Sequence, residues 1–273
     1  MTNDTKQKVR EFYDEIGWQQ EDGGLYQNAR YEDLRPVSQE YIHNTRLRVM
    51  NGLIPTGRFL LDAGSGPVQY EEYKTYSQGY QKRVCLDISI QALREARERI
   101  DGHGLFVVGD VANLPFKAES FDGAVSMHAI HHLALTEHPR AYAEIHRVLT
   151  TGRKAAIVNG WHEPRLIKMT EPLIGIMRKL SGRSKKRKKE WLNEEDPEGT
   201  FVEKMTPEWL KREIGSKMNI EIKPWRSLST RMLRWFVRPF GGHTFLKFVF
   251  WLEGAFPKFF AENGQYPLIV IRK

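Results

Sequence analysis

Three short apolar runs in this sequence each end on an aspartate: RFLLDAG (Arg58–Gly64), RVCLDIS (Arg83–Ser89) and GLFVVGD (Gly104–Asp110). Between the second and third lies IQALREARERI (Ile90–Ile100), with Leu93, Ala96 and Ile100 at helical spacing and charges elsewhere. Two more runs, FDGAVSMHAI (Phe121–Ile130) and KAAIVNGW (Lys154–Trp161), flank HPRAYAEIHRVL, whose Ala141, Ile145, Val148 and Leu149 share one helical face. Strands that alternate with helices cannot pair as hairpins. They imply βαβ units and a doubly wound, mostly parallel α/β sheet.

The remainder adds elements to that sheet. The first 50 residues read as helical and aromatic, with Phe12, Tyr13, Trp18, Tyr26, Tyr31 and Tyr41. Thr206-Pro207-Glu208 offers an N-cap and a first-turn proline, predicting a helix to about Met218. NIEIKPW (Asn219–Trp225) and YPLIVIRK (Tyr266–Lys273) alternate like sixth and seventh strands. Helical insertions are expected before strand six and between strands six and seven.

Charge narrows the function classes. Lys and Arg number 42 against 34 Asp and Glu, a formal +8. Eight of those cations fall between Arg178 and Lys189, with no acid among them, and without them the chain is neutral. The excess thus describes one segment, which weakens the nucleic-acid reading that a basic composition would suggest. The single cysteine, Cys85, excludes an intramolecular disulfide framework and a multi-cysteine zinc site. The polar N-terminus and the lack of 18 uninterrupted apolar residues lead us to expect a cytoplasmic protein.

The chemistry gathers at the strand ends. Asp62-Ala63-Gly64-Ser65-Gly66 follows the first strand, and two glycines let backbone approach a ligand with no Cβ in the way. The dinucleotide fingerprint fails, because its third glycine would fall at Gln69. Asp87 stands 21 residues after Gly66, where a carboxylate can accept ribose hydroxyls or cap the next helix in rivalry with Ser89. Asp110, in GDVANLPF, can take the exocyclic amine of an adenine, or cap.

LLDAGSGP, VCLDIS, GDVANLPF and FDGAVSMHAIHHL, in this order and spacing, resemble the class I S-adenosylmethionine-dependent methyltransferases, and most of all the small-molecule group that includes quinone-biosynthesis C-methyltransferases. The resemblance spans roughly Arg58 to Trp161. It implies a Rossmann-like, seven-stranded sheet with an antiparallel last strand, and S-adenosyl-L-methionine as cofactor. It also implies that Asp62, Gly64 and Gly66 line the methionine part, with Ala63 and Ser65 in the same loop. Asp87, with Ile88 beside it, would hold the ribose. Asp110 and Val111 would hold the adenine, and Met127 and His128 would lie next to the cofactor. One departure is Pro67, where many members carry glycine. On this reading residues 1–50 form a helical cap, 51–161 the cofactor-binding half, and 162–273 the acceptor-selecting half.

The expected activity is in-line methyl transfer to a small hydrophobic or aromatic acceptor. A base is needed only if the acceptor must lose a proton, and His131 and His132 are the catalytic candidates. His128, His131 and His132 lack the Glu of a zinc HExxH motif, so no metal is expected. No Pro-Pro-aromatic motif follows the fourth strand, where Ser126-Met127-His128-Ala129 stands, which disfavours nucleobase amines as acceptors. The competing readings are an RNA methyltransferase that uses the basic segment, and a non-catalytic cofactor-binding protein docked on a membrane or partner. A nicotinamide-dependent oxidoreductase ranks last, given Gln69 and Asp110.

The second half holds two insertions with open roles. Leu166, Met169, Leu173, Ile176, Met177 and Leu180 fall at helical spacing around Pro172, next to the basic segment 178–189. That pairing suits peripheral contact with an anionic membrane, a solvated loop, or a polyanion. In the second insertion Phe245, Phe248, Val249, Leu252 and Phe256 mark one helical face, suited to a cover for the sheet or a wall for the acceptor. Arg226, Arg231, Arg234 and Arg238 are interleaved with its aromatics, to meet an acidic acceptor group or solvent.

Overall fold

The structure is a computed structural model that describes residues 2–18, 20–21, 25–26, 32–180 and 200–273. Most of the basic segment (181–189) and Tyr31 lie outside the described residues. Helix α1 (Thr2–Phe12) runs into a π-helical turn (Tyr13–Gly17). A short antiparallel ladder of β1 (Gln20–Glu21) and β2 (Leu25–Tyr26) follows, then α2 (Pro36–Leu47). Among the described residues the N-terminal region is thus mostly helical, with this ladder in addition.

Seven strands form one sheet: β3 (Gly57–Ala63), β4 (Tyr80–Asp87), β5 (Gly104–Val108), β6 (Gly123–Met127), β7 (Lys154–Val158), β8 (Asn219–Arg226) and β9 (Tyr266–Arg272). Their order is β5-β4-β3-β6-β7-β9-β8. The first five are parallel, while β9 runs antiparallel to both β7 and β8. This is the doubly wound, Rossmann-like sheet that the strand–helix alternation implies. Pro224 sits in β8, an edge strand, where a missing N–H breaks least.

The strands bury both faces, as parallel strands must. Leu61, Leu86, Ala124 and Ile157 enter one core with Ile145 and Val148 of α5 (His138–Val148). Their neighbours Leu60, Cys85, Val125 and Ala156 enter the opposite core, at the strand period of two. Burial pushes the Cys85 thiol up to about 12, which makes it an inert core group. Helix α4 (Ile90–Ile100) is capped by Ser89, whose hydroxyl accepts the Ala92 amide. With that task filled, Asp87 is left free to face the strand ends.

Between α2 and α4 lies the short helix α3 (Glu71–Thr75). The first insertion holds α6 (Arg165–Leu180) and α7 (Pro207–Glu213), the latter capped by Thr206. Helix α7 stops at Glu213, short of Met218, and turns over the next five residues as the Gly215 amide bonds back to Leu210 O. The second insertion holds α8 (Thr230–Phe236), α9 (Gly242–Ala255) and α10 (Pro257–Asn263). A third core joins α2, α6, α8 and α9 through Ile42, Ile174, Leu233, Leu246 and Val249.

The apolar faces of two helices depart from expectation. In α6, Met169, Leu173 and Ile176 are exposed, and the helix packs through Ile167 and Ile174 instead. In α9, Phe245 and Phe248 point outward, as does Phe256 just beyond it, while Leu246, Val249 and Glu253 are buried. Helix α9 is apolar around much of its circumference, so periodicity does not select which side packs. In α6 the apolar residues form one broad face, and Ile167 and Ile174 at its edge do the packing.

Candidate active site

Strand order reverses at β3, which has β4 on one side and β6 on the other. In open α/β sheets the crevice at such a switch point, outside the carboxyl ends of the strands, is where ligands bind. A cavity of about 550 Å³ lies there. Its wall contains Gly64, Ser65 and Gly66 after β3, Asp87 and Ile88 after β4, Asp110 and Val111 after β5, and Met127 and His128 after β6. His131 and His132, in the 3₁₀ turn that follows, also line it.

The glycines are there for backbone reasons. Gly64 and Gly66 have φ of +74° and +53°. A Cβ on Gly64 would lie 2.2 Å from Ala129 Cβ, so the loop lies against the β6 exit. A Cβ on Gly66 would lie 3.0 Å from the Trp18 ring, which leans over the loop.

Asp87 is buried, accepting the Gly66 amide at 2.8 Å and the Ser89 amide at 2.9 Å. Burial pushes its carboxyl up to about 6 despite those two bonds. Asp110 accepts the Ala112 amide at 2.8 Å and pairs with Lys6 of α1 at 2.7 Å. Lys6 also pairs with Glu137, so the first helix is tied across the end of β5.

Asp62 and Ala63 lie away from the cavity. The Asp62 side chain turns back along the sheet, where Arg83 Nε donates to it at 2.9 Å and Arg83 Nη2 donates again. Both residues are almost wholly buried. Burial opposes the charge on Arg83, and Asp62 beside it more than offsets that. Asp62 is thus an anchor between β3 and β4 beneath the loop, not a residue lining it; its partner sits on the adjacent strand, where no reading of the loop alone would find it.

The three histidines differ. His132 donates from Nδ1 to Phe201 O at 2.8 Å, which fixes its tautomer and leaves Nε2 to accept the Tyr13 hydroxyl at 2.8 Å. Burial lowers His132 to about 4. His128 sits at φ +57° where β6 exits, packed edge-on against Trp225 and Tyr266. Burial, then the charge of Arg226, lowers it to about 3. His131 is pushed well down by burial and by its two histidine neighbours. Its Nδ1 makes no hydrogen bond among the described residues. All three imidazoles are therefore neutral at pH 7.

The wall also carries residues that periodicity did not single out: Glu32, Tyr70, Lys204 and Tyr266. Glu32 pairs with Arg226, and more distantly with Arg46 at 3.4 Å. Burial works against the Glu32 charge, but Arg226 and Arg46 hold its carboxyl below the usual range. Arg226 is 3% exposed, so it meets neither solvent nor an unpaired acid. Arg231 pairs with Glu171 at 2.6 Å, and Arg234 donates to Glu32 O at 3.0 Å. The signal for Glu32 is spatial, since 194 residues separate it from Arg226.

Residues 61–157 match the family described as "Methyltransferase domain". No curated protein matches the sequence. Among solved structures the chain is similar to geranyl diphosphate C-methyltransferase from Streptomyces coelicolor A3(2), at 15% identity and TM-score 0.57 over 98% of this chain and 97% of that one. It is also similar to the [4+2]-cyclase SpnF, at 16% identity and TM-score 0.57 over 98% and 97%. A third is an S-adenosylmethionine-dependent methyltransferase from Thermotoga maritima, a possible histamine N-methyltransferase, at 17% identity and TM-score 0.52 over 87% and 91%. At these identities the likeness speaks for architecture, and the acceptors in those names belong to those proteins.

The chain carries a methyltransferase domain of the S-adenosylmethionine-dependent class, with S-adenosylmethionine as its donor. The residues present suit that molecule: glycine backbone at Gly64 and Gly66, carboxylates at the ends of β4 and β5, and a cavity within the size range of cofactor sites.

Proposed function

We propose that this enzyme methylates a small, hydrophobic or aromatic acceptor in the cavity at the carboxyl ends of β3–β6. The observation that carries the reading is the meeting, in one cavity, of the Gly64–Gly66 loop, Asp87 and Asp110 with neutral imidazoles and aromatic rings. When bound, the cofactor supplies an electrophilic methyl on sulfonium sulfur. In this reading the loop takes the methionine part, Asp87 accepts the ribose hydroxyls, and Asp110 with Val111 takes the adenine. Met127 and His128 flank the donor's reactive end.

Trp18, Tyr13 and Lys6 close the N-terminal segment over this end of the cavity, which excludes water and holds donor and acceptor in line. His131 is the proton acceptor if the acceptor atom must lose one, because its ring is neutral and its Nδ1 uncommitted. His132 acts through Tyr13, whose hydroxyl it orients. The direct test is incubation with methyl-labelled donor and a metabolite extract, followed by mass spectrometry. A labelled small molecule supports the reading; label in RNA, or in nothing, opposes it.

The Asp87 role carries its own pH signature. Hydroxyl donors favour the carboxylate, so binding lowers the Asp87 pKa from about 6, and below that pH the free protein must release a proton to bind. Affinity for S-adenosylhomocysteine is expected to fall as pH drops through 6, approaching about tenfold per unit. Asp87→Asn should bind more weakly, on the order of tenfold at pH 7.5, and with a flat profile. A sloping profile that survives in Asp87→Asn removes this residue from the role.

A further inference from the structure

The second insertion exposes aromatic rings to a degree that a soluble surface seldom does. Phe240 is 98% exposed, Trp251 60%, Phe256 56%, Phe248 54%, Phe259 51% and Phe245 42%. All six fall within twenty residues on α9, the turns that flank it and the start of α10, and the Phe248 and Trp251 rings stack at 5.8 Å. These rings do not complete the core: α9 already packs inward through Leu246 and Val249.

Charge on the same stretch is one-sided. From Arg234 to Ala261 the chain carries Arg234, Arg238, Lys247 and Lys258 and one acid, Glu253. That acid is fully buried on the inward face, bonded to Arg48, Tyr41 and the Ser227 amide. The surface carboxylates around it are paired: Glu40 of α2 is shared between His243 and Lys247, and Glu262 of α10 bonds Lys211. The outward face of α9 therefore presents aromatic rings rimmed by cations, with no acid of its own.

We propose that this face docks the enzyme on an anionic lipid surface, with α9 lying in the headgroup region. Aromatic residues that enter the interface, with basic residues beside them that meet anionic headgroups, are the two terms of peripheral membrane binding. The charge pattern disfavours a second copy of the chain, because a two-fold contact sets this cation-rimmed face against itself. The face is also close to the cavity through α8. Thr230, Arg231 and Arg234 of α8 line the cavity, while its Met232 and Leu233 belong to the core that α9 completes. A hydrophobic acceptor partitioned in the bilayer would be presented beside that end. The docking surface goes beyond the methyl-transfer reading and stands without it.

The test is co-sedimentation of the full chain with phosphatidylcholine vesicles, with and without phosphatidylglycerol, alongside the variant Phe240→Ser/Phe248→Ser/Trp251→Ser. Affinity of both proteins for S-adenosylhomocysteine serves as the folding control. The parent is expected to sediment with the anionic vesicles and the variant to bind them at least about tenfold more weakly. The single variant Phe240→Ser, at the most exposed ring, should weaken binding in the same direction. Failure of the parent to bind anionic vesicles overturns the proposal. So does binding that survives the triple variant but vanishes when Arg183–Lys189 are neutralised, which would make the basic segment the anchor. A parent that is dimeric by light scattering, and monomeric as the triple variant, puts a second copy on the face and also overturns it.

Discussion

Arg83→Met is expected to destabilise the fold by about 3–5 kcal/mol, the cost of leaving one member of a buried ion pair without its partner. Arg83 and Asp62 are 1% and 2% exposed, and Arg83 also donates to Tyr73 O, so water cannot replace what is lost. Urea unfolding followed by circular dichroism measures the change as a drop in midpoint at constant slope. The double variant Asp62→Leu/Arg83→Met separates this from a packing defect. It removes both charges and should recover most of the loss, since well-packed apolar replacements of buried pairs are often neutral. A single variant within about 1 kcal/mol of the parent would show that the pair does not anchor β3 to β4.

His131→Ala should lower methyl transfer by about 10²-fold or more if the acceptor must be deprotonated, with affinity for S-adenosylhomocysteine unchanged. The readout is labelled-methyl incorporation from a metabolite extract, with donor binding followed by calorimetry. His132→Ala and Tyr13→Phe should have smaller effects, similar to one another, because both ring nitrogens of His132 are committed, Nδ1 to Phe201 O and Nε2 to the Tyr13 hydroxyl. If His132→Ala is the more damaging change and Tyr13→Phe is silent, the two histidines exchange roles. Full activity in both histidine variants would mean that the acceptor needs no base.

The architecture was legible because the information lies in short stretches. Leu60 and Leu61, or Cys85 and Leu86, send alternate residues into the two cores, and the carboxyl ends of β4 and β5 lead to Asp87 and Asp110 at the same edge. Gly64, Gly66, Asp87, Asp110 and His128 were visible for the same reason, since a parallel sheet gathers its strand ends at one edge. Their common cavity follows from that topology. What escaped are contacts between distant segments. Asp62 belongs with Arg83 across the strand pair, Glu32 with Arg226, and Lys6 with Asp110, and local patterning carries no trace of these partners. The faces of α6 and α9 escaped for a different reason. Helices with broad apolar faces leave the choice of packed side to their neighbours, and in α9 the buried side is the one that carries Glu253, because Arg48 and Tyr41 wait there to pair with it.

The central claim is that the cavity at the ends of β3–β6 is a donor site for methyl transfer. Isothermal calorimetry of the folded full chain with S-adenosylhomocysteine tests it most directly. The account predicts saturable binding with one site per chain, weakened by Asp87→Asn and unchanged by His131→Ala. An absence of heat at millimolar ligand, or binding indifferent to Asp87, would contradict it.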